Sequence, residues 1–368
     1  MKTVNHIYEK IIAFDNLLLA ARKAQRGKRF NNNVTAFHFR LEENILALQR
    51  QLRQKSYQPG TYRTFHVYDP KQRMISAAPY RDRVVHHALC NVIEPIFERT
   101  FIYDSYANRK AKGTHKAIER YQYYARRFPY VLKCDIRKFF PSIDHDLLKR
   151  EIHRKIRCRD TRWLVDRIID NSNPQEPHLQ WFAGDDLFTP LQRRKGLPIG
   201  NLTSQFWANV YLNRFDHFVK EKLRVPGYIR YVDDFVLFGS DKQQLRDWKA
   251  ALTAYLSSLR LFPHPDKTQI HRTKDGIPFL GFQVFPYHRY VRKAKVKRYR
   301  RYLKSNLRRR QQGTLSPQTL EDQLNAWLGH IRFGHNMRLE YHVFWYLRHR
   351  GVRLFRSPSG SWRVLEQQ

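Results

Sequence analysis

Two adjacent carboxylates interrupt a strongly apolar stretch in the second half of the chain. Residues 228–232 form a short aromatic and β-branched run, Asp233 and Asp234 follow it, and a second apolar run covers residues 235–238. Two strand-like runs joined by acids predict a β-hairpin with both carboxylates at its tip. Adjacent aspartates are most often a solvated turn. Here the arms are typical of buried strands and unneutralised acids beside them are costly, so we expect a bound cation, most obviously a divalent metal ion.

A third acid stands at the end of another strand-like run. Residues 130–134 are typical of a buried strand, Asp135 ends it, and the chain then leaves through two aromatic residues and Pro141. A rigid strand end is well suited to present a metal ligand. Taken alone, Asp135 is equally well interpreted as a helix-capping residue. Carboxylate oxygens without cysteine or histidine favour Mg²⁺ over zinc.

The charge of the chain indicates a polyanionic partner. Lysine and arginine total 69 against 32 acids in 368 residues, giving a net charge of +37 and a pI near 10.4. Such an excess repels itself in a compact chain unless a polyanion is present, and nucleic acid is the principal candidate. A basic protein at a membrane surface is the rival interpretation, although no run approaches the roughly 18 apolar residues of a spanning helix. The length predicts one large multi-lobed unit or two to three subdomains.

The cysteines and the N-terminus indicate a reducing compartment. Cys90, Cys134 and Cys158 show no CxxC spacing and leave an odd thiol, so neither a disulfide framework nor a zinc site is predicted. The first twenty residues carry Glu9 and Asp15 among their apolar positions and lack a small-residue cleavage site, unlike a secretory signal. We therefore expect a cytoplasmic protein.

The N-terminal 55 residues are predicted to be helical. The apolar residues Phe37, Leu41, Ile45, Leu48 and Leu52 recur at three- and four-residue intervals, which predicts one stripe of a single helix. The basic segment 21–33 precedes it. A solvated connector and a phosphate-binding surface are equally good interpretations of that segment.

Two basic segments lie between residue 55 and the predicted strand that ends at Asp135. Residues 61–77 predict two strands joined near Asp69-Pro70 and followed by a helix from about Asp82. Further on, Arg109 and Lys112 precede a helix, an arrangement suited to phosphate at a helix N-terminus, without P-loop spacing. Later in the chain, Gly200 lies in a Gly/Pro-broken loop where backbone can approach a ligand closely, and an apolar helix begins at about Leu202.

The C-terminal part of the chain is dominated by cations. Residues 289–310 contain twelve Lys or Arg and no acid, with tyrosines among them. Such a run is often only a solvated face, but uncompensated cations at this density favour contact with a phosphate backbone. The predicted nucleic-acid-binding residues of this run are Arg292, Lys293, Lys295, Lys297, Arg298, Arg300, Arg301, Lys304, Arg308, Arg309 and Arg310. A helix capped by Ser316 is predicted next.

The order of these motifs resembles that of the reverse transcriptases. The resemblance is carried, over residues 55–290, by five motifs in order: Arg73 to Pro79, DIRKFF at 135–140, GLPIG at 196–200 with Ser204-Gln205, YVDD at 231–234, and Lys267 together with FLGF at 279–282. Five ordered motifs are far more specific than one. Within that superfamily the chain most resembles the enzymes of diversity-generating retroelements, through DPKQRMI, DRVVHHAL, SYANRKAKGTHKA, SIDH and above all IGNLTSQ at 199–205. Most relatives carry glutamine before the glycine and proline after the serine, so Ile199 and Gln205 are departures.

The resemblance implies an α+β, right-hand polymerase fold. Residues 1–55 would be an N-terminal helical extension, 56–290 the fingers and palm, and 291–368 a basic helical thumb. Asp135, Asp233 and Asp234, with the carbonyl of Ile136, would hold two Mg²⁺ ions for transfer of a nucleotide to a primer 3′-hydroxyl.

The resemblance also assigns nucleotide-binding residues. Lys71 and Arg73 would grip the triphosphate. Phe140 would crowd a ribose 2′-hydroxyl and so favour deoxynucleotides, with plain core packing as the alternative. Ile199 replaces a glutamine that touches the incoming nucleotide in relatives, which would loosen discrimination. Lys267 resembles a lysine near the active site, and FLGF resembles the strand that supports the primer end.

The resemblance implies an RNA-directed DNA polymerase that makes error-prone, adenine-mutagenised cDNA from a retroelement template RNA. Its partners would be that RNA, the primer or cDNA, deoxynucleoside triphosphates and a small basic helical oligomeric accessory protein, without a membrane. Another bacterial reverse transcriptase, of retron, intron-maturase or antiviral-defence type, is the alternative within the enzyme class. A catalytically silent RNA-binding scaffold is the alternative outside it, against which stands the presence of all three acids.

Overall fold

The protein is described here from a computed structural model that covers residues 3–68, 72–173, 179–358 and 360–364. The backbone divides into two compact units. The first comprises Met1–Ala111, Lys133–Val236 and Arg246–Gln269, and the second comprises Lys112–Leu132, Leu237–Leu245 and Ile270–Gln368. The mixture of helices and sheets is consistent with the predicted α+β class. Lys71 lies outside the described residues.

The helices in chain order are α1 (Tyr8–Ile12), α2 (Phe14–Ala24), α3 (Asn32–Phe39), α4 (Leu41–Arg53), α5 (Tyr80–Glu98), α6 (Thr114–Ala125), α7 (Phe139–Ser142), α8 (His145–Lys155), α9 (Arg159–Asp170), α10 (Thr189–Gln192), α11 (Leu202–His217), α12 (Lys242–Ser258), α13 (Lys293–Gln311), α14 (Pro317–Arg332) and α15 (Met337–His349). A π-helical turn, Phe218–Lys222, continues α11, and 3₁₀ turns cover Pro265–Lys267 and Thr273–Asp275. The strands are β1 (Arg63–Val67), β2 (Arg73–Ala77), β3 (Tyr130–Asp135), β4 (Gly227–Tyr231), β5 (Asp234–Gly239), β6 (Gln269–Arg272), β7 (Ile277–Phe279), β8 (Phe282–Val284), β9 (Arg289–Val291), β10 (Leu354–Arg356) and β11 (Trp362–Val364).

A four-stranded sheet carries the predicted acids. Its neighbour order is β4-β5-β3-β6, so the β4–β5 hairpin lies directly beside β3. Four of the five residues of β4 and five of the six residues of β5 are buried. Continuous burial explains why neither arm shows an alternating pattern, although Arg230 interrupts the apolar run of β4. The predicted hairpin and the predicted strand ending at Asp135 are both confirmed.

The β1–β2 hairpin is also confirmed. The two strands pair antiparallel, with Val67 opposite Arg73 at the end nearest the turn. The helix predicted from about Asp82 begins slightly earlier, at Tyr80, directly after Pro79. A proline fixes the backbone just before a helix without losing an intrahelical hydrogen bond.

The prediction of a single helical stripe from Phe37 to Leu52 is wrong. The chain leaves helical geometry at Arg40 (φ −121°, ψ 50°), which separates α3 from α4. The Asn44 side-chain amide donates to the Phe37 carbonyl at 3.0 Å and so satisfies an acceptor that the break removes from the helical ladder. The stripe survives within α4, where Ile45, Leu48 and Leu52 are buried.

The second unit contains a three-stranded antiparallel sheet with neighbour order β7-β8-β9. FLGF was expected to be a strand, and here the expectation is wrong. Phe279 pairs with Phe282 across a two-residue turn in which both Leu280 (φ 46°) and Gly281 (φ 91°) have positive φ. Two positive φ values match the twist of a tight hairpin, and glycine adopts one of them freely.

The helices of the C-terminal segment follow the predictions. Residues Lys293–Gln311 form α13, which carries most of the basic run. The Ser316 hydroxyl caps α14 by accepting from the amide of Thr319, and Leu320, Leu324 and Leu328 are buried on its apolar face. In the described part of the chain no helix is both long and apolar enough to cross a bilayer.

Candidate active site

The end of β3 and the tip of the β4–β5 hairpin are joined by a backbone hydrogen bond. The amide of Ile136 donates to the carbonyl of Asp233 at 3.1 Å. Asp135 therefore lies beside Asp233 and Asp234, although roughly a hundred residues separate them in the chain. On its other side, the carbonyl of Asp135 accepts from the amide of His264 at 2.7 Å. The sheet thus brings the three sequence-predicted acids to one place.

The hairpin carboxylates lie in an environment that disfavours their ionised form. Burial, together with repulsion from Asp135, raises the pKa of Asp233 to about 6 against the opposing effects of Lys267 and Arg73. Burial raises the pKa of Asp234 to about 7, with Lys133 opposing. Desolvation and neighbouring like charge are the expected causes of such shifts. A cation bound at this site would stabilise the ionised form of both carboxylates.

One carboxylate oxygen of this pair is left without a partner. Among the described residues, Asp234 Oδ1 is buried and receives no hydrogen bond. A buried acceptor without a donor is costly, and such groups concentrate where a ligand binds. This oxygen is therefore a candidate metal ligand on structural grounds.

Lys267 already neutralises the third acid. Its Nζ lies 2.8 Å from Asp135 Oδ1, and Lys267 itself is in the Pro265–Lys267 turn that follows the contact between Asp135 and His264. Within the described ranges, no three His, Cys, Asp or Glu side chains are gathered closely enough to hold a metal ion. The three acids are neighbours here, with the lysine ammonium bound to one of them.

The predicted nucleotide-binding residues differ in their exposure to solvent. Arg73 is exposed on β2 and close enough to Asp233 to lower its pKa. Phe139 is 2% exposed and belongs to the core, whereas Phe140 is half-exposed at the start of α7. The two adjacent phenylalanines therefore differ in accessibility, and of the two only Phe140 is placed where a ligand could touch it.

The loop that contains Ile199 is fixed to β2. The amide of Ser76 donates to the carbonyl of Ile199 at 3.0 Å, and the Asn201 side-chain amide donates to the carbonyl of Ser76 at 3.3 Å. Gly200 has φ +113°, and a Cβ there would lie 3.2 Å from Cγ2 of Ile75. Both the left-handed backbone and the close approach require glycine. Ile199 and Arg73 are consequently held on one local framework.

The predicted nucleic-acid-binding residues differ in accessibility. Most of those in the basic run are exposed: Arg292, Lys293, Lys297, Arg300, Arg301, Lys304, Arg308 and Arg309. Arg298 and Arg310 are half-buried. Lys295 points inward, with its Nζ 3.1 Å from His330 Nε2. The exposed cations of α13 thus form a continuous basic surface on the second unit.

Arg109 and Lys112 precede α6 as predicted, but their surroundings differ from those of α13. The guanidinium of Arg109 is bound to Glu98 and to the carbonyls of Ile102 and Ser105, and its side chain is 6% exposed. Lys112 is half-buried. Arg109 therefore organises its own loop, and its guanidinium is bound to protein groups and not exposed for phosphate.

Sequence reasoning missed a buried ion pair next to the hairpin tip. Arg230 in β4 and Asp216 in α11 are both fully buried and 2.6 Å apart. The signal was present, because an arginine inside an otherwise apolar strand requires a buried partner. Asp216 lies fourteen residues earlier in the chain, so no local sequence pattern identified it as the partner of Arg230.

Comparison with known proteins places this geometry in a family. Residues 68–284, more than half of the chain, match the family model "Reverse transcriptase (RNA-dependent DNA polymerase)". That range contains all three acids, Arg73 and Lys267.

Individual relatives agree with the family match. Protein YkfC of Escherichia coli (strain K12) is 27% identical over 303 residues, which cover 71% of this chain and 74% of that protein. The group II intron-encoded protein LtrA of Lactococcus lactis subsp. cremoris is 23% identical over 181 residues, covering 48% of this chain and 28% of LtrA. An uncharacterized 91 kDa protein in a cob intron of Schizosaccharomyces pombe is 22% identical over 271 residues, covering 58% of this chain and 32% of that protein. The chain thus matches less than a third of the length of these two intron proteins.

The three predicted acids lie at neighbouring strand ends inside the matched range. Members of the matched family act on a template RNA and a primer with deoxynucleoside triphosphates, and they generally use divalent metal ions. The chain belongs to the reverse transcriptase family and is an RNA-directed DNA polymerase.

Proposed function

We propose that this reverse transcriptase belongs to a diversity-generating retroelement and makes adenine-mutagenised cDNA from the element's template RNA for diversification of a target gene. The proposal rests on the position and the residue type of Ile199. Its carbonyl is fixed by Ser76 in the strand that also carries Arg73, and its apolar side chain stands where most relatives have glutamine. A site that relies on shape without a polar contact rejects wrong pairings less strongly.

Two Mg²⁺ ions are the metals this donor set suits. Asp135, Asp233, Asp234 and the carbonyl of Ile136 are hard oxygen donors, and the partnerless Asp234 Oδ1 supports the fit. Bound there, the ions would activate the primer 3′-hydroxyl and stabilise the leaving pyrophosphate. Lys267 would have to release Asp135 before all three carboxylates were available. The raised pKa values of Asp233 and Asp234 support the same conclusion, since the nearby cations do not offset the burial of the pair.

The incoming nucleotide would be bound by cations on one side and by shape on the other. Arg73, together with Lys71, would bind the triphosphate, and Lys267 would contact it after leaving Asp135. Phe140 would exclude a ribose 2′-hydroxyl, a role that its half-exposed position permits and that the core position of Phe139 does not. Gly200 would let the backbone of the Ile199 loop lie close to the base.

The template RNA and the cDNA would be bound largely through phosphates. The exposed cations of α13 give a surface with high charge density and no acid within the run. In a right-hand arrangement, residues 291–368 would be the thumb, 56–290 the fingers and palm, and 1–55 an N-terminal extension. Lys112 remains a proposed contact beside α6.

A small basic helical oligomeric accessory protein would complete the system. The chain itself carries +37, so direct association with a basic protein would be opposed by charge, and bound RNA would offset that repulsion. The similarity to LtrA, a group II intron-encoded protein, favours a second candidate, another bacterial reverse transcriptase of retron, intron-maturase or antiviral-defence type.

Sequencing of the cDNA separates the two candidates. We expect wild-type cDNA made on a defined RNA to carry errors concentrated opposite template adenines. Ile199→Gln should reduce those errors, whereas Leu202→Gln, the same chemical change three residues further along, should not. Errors spread evenly over the four template bases would reject the retroelement assignment and leave the reverse transcriptase assignment intact.

A further inference from the structure

Arg230 is a fully buried charge placed three residues before Asp233. Its side chain is 0% exposed, and it stands one residue before the end of the otherwise apolar strand β4. Buried ion pairs contribute little to stability compared with well-packed apolar residues of similar size. The presence of a guanidinium in this strand therefore calls for a reason other than stability.

The guanidinium is held rigidly by groups on α11. Its Nε and Nη2 donate to the two carboxylate oxygens of Asp216 at 2.7 and 2.6 Å, a bidentate pair. Its Nη1 donates to Asn209 Oδ1 at 3.1 Å, and the Tyr228 hydroxyl donates to Asp216 Oδ1 at 2.7 Å. Lysine, a point charge with no planar fork, cannot reproduce this set of bonds.

The same guanidinium reaches the tip of the hairpin. Arg230 Nη1 also donates to the carbonyl of Val232 at 3.2 Å. Val232 has φ +58°, a left-handed conformation that is a genuine outlier for a β-branched residue. The strained residue directly precedes Asp233, so its backbone sets the direction in which the two carboxylates leave the strand.

The backbone of Arg230 and the side chain of Asn209 are hydrogen-bonded to a second segment, residues 104–107. The amide of Arg230 donates to the carbonyl of Asp104 at 3.0 Å, and the amide of Tyr106 donates to the carbonyl of Arg230 at 2.9 Å. The Asn209 side-chain amide donates to the carbonyl of Ala107 at 2.8 Å. The loop before α6 is therefore bound to the backbone of Arg230 and to Asn209, and α11 is bound to the Arg230 side chain.

We propose that Arg230 is a positioning residue for nucleotide transfer. Held by Asp216 and Asn209, its guanidinium keeps Val232 in the left-handed conformation and thereby orients Asp233 and Asp234 toward the substrate and metal. This inference rests on the proposed roles of those two acids. It adds a second requirement to the presence of the two acids: Arg230 must hold the backbone of the hairpin tip in its strained conformation.

The test uses variants that keep the fold while removing the clamp. Arg230→Met with Asp216→Leu removes both buried charges, so neither is left unpaired, and we expect cooperative unfolding to remain. We expect kcat for primer extension to fall at least tenfold, and direct Mn²⁺ binding followed by electron paramagnetic resonance to weaken at least tenfold, with RNA affinity unchanged. Lys149→Met with Asp170→Leu is the matched control, because it deletes an ion pair of 2.7 Å on α8 and α9.

Rescue distinguishes positioning from general stability. Glycine adopts positive φ without strain, so adding Val232→Gly to the Arg230→Met, Asp216→Leu variant should raise kcat and Mn²⁺ affinity at least threefold above those of the double variant. Arg230→Lys, which keeps the charge and loses the fork, should show the same losses in milder form.

Several results would overturn the inference. A folded double variant with wild-type kcat and Mn²⁺ affinity would do so, and so would failure of Val232→Gly to rescue. Loss of folding in both the double variant and Arg230→Lys would assign the pair to stability alone. Full activity of a variant lacking the carboxylates of Asp233 and Asp234 would instead reject the proposed function itself, so the two failures are distinguishable.

Discussion

Lys267 Nζ and Asp135 Oδ1 lie 2.8 Å apart at the end of β3. The lysine side chain is 39% exposed and the aspartate side chain 19% exposed, so the pair is accessible from solvent. A positive group thus occupies a carboxylate oxygen that we assign to a metal ion. Lysine and metal ion are expected to compete for Asp135.

Replacement of Lys267 by Met should strengthen metal binding while weakening nucleotide binding. A partly exposed ion pair is worth up to about 1 kcal/mol, so loss of the competing ammonium should tighten Mn²⁺ binding by up to about fivefold. The KM for deoxynucleotides should rise, because Lys267 is proposed to contact the triphosphate. Titration of Mn²⁺ followed by electron paramagnetic resonance measures the first effect, and Lys149→Met serves as the control. Unchanged or weaker Mn²⁺ binding would contradict the competition.

Replacement of Asp234 by Asn should stabilise the metal-free chain at high pH. Because burial raises the pKa of Asp234 from 3.8 to about 7, the folded state holds this proton more tightly than the unfolded state does. The contribution of the carboxyl group to stability is therefore complete below about pH 4 and is lost as the pH rises to about 7. The variant should exceed wild type at pH 8 by on the order of 2 kcal/mol, and the difference should shrink towards pH 4.

Urea unfolding in the presence of a chelator, at several pH values, measures this difference. Glu43→Gln, a change of an exposed carboxylate in α4, is the control and should show no comparable gain. A variant less stable than wild type at pH 8 would show that the Asp234 carboxylate is satisfied in the folded chain.

The two phenylalanines of α7 should respond differently to truncation. Phe140→Ala should allow ribonucleotides to be incorporated, since the half-exposed ring is proposed to exclude the 2′-hydroxyl, and it should leave most of the stability intact. Phe139→Ala should destabilise the chain by about 3–5 kcal/mol, because it removes a core side chain. Primer extension with ribonucleotides and thermal unfolding test the pair. Equal discrimination in wild type and Phe140→Ala would remove Phe140 from the gate.

The basic face of α13 should determine how strongly salt weakens RNA binding. On single-stranded RNA, each phosphate that the protein neutralises contributes about 0.7 to the slope of log affinity against log salt. Replacing Lys297, Arg300 and Arg301 by Gln should therefore reduce the slope by about 2. The same charge change at Lys10, Arg50 and Arg53 is the control. Equal effects of the two sets would mean that net charge, and not the α13 surface, governs binding.

Sequence patterns predicted the elements of the site better than its connections. The β4–β5 hairpin and the end of β3 follow from local runs of apolar residues. The bond from Ile136 to Asp233 depends on sheet order, which local periodicity does not encode. The same holds for the pairing of Lys267 with Asp135, which are 132 residues apart.

In both corrected predictions, the backbone conformation of one or two residues interrupts the predicted helix or strand. Arg40 breaks a helical stripe whose spacing is otherwise regular, and an Asn44 side chain compensates the break. The turn at Leu280 requires a positive φ from a leucine, which composition does not reveal.

Primer extension on an RNA template with Mg²⁺ tests whether Asp233 and Asp234 are required for nucleotide transfer. Wild type is compared with a variant carrying Asp233→Asn and Asp234→Asn, which keeps the size of both side chains. We expect the variant to bind RNA as wild type does and to lose extension by about a thousandfold or more, the effect of removing several kcal/mol of charge stabilisation. Equal extension by the variant, or none by wild type, would contradict this expectation.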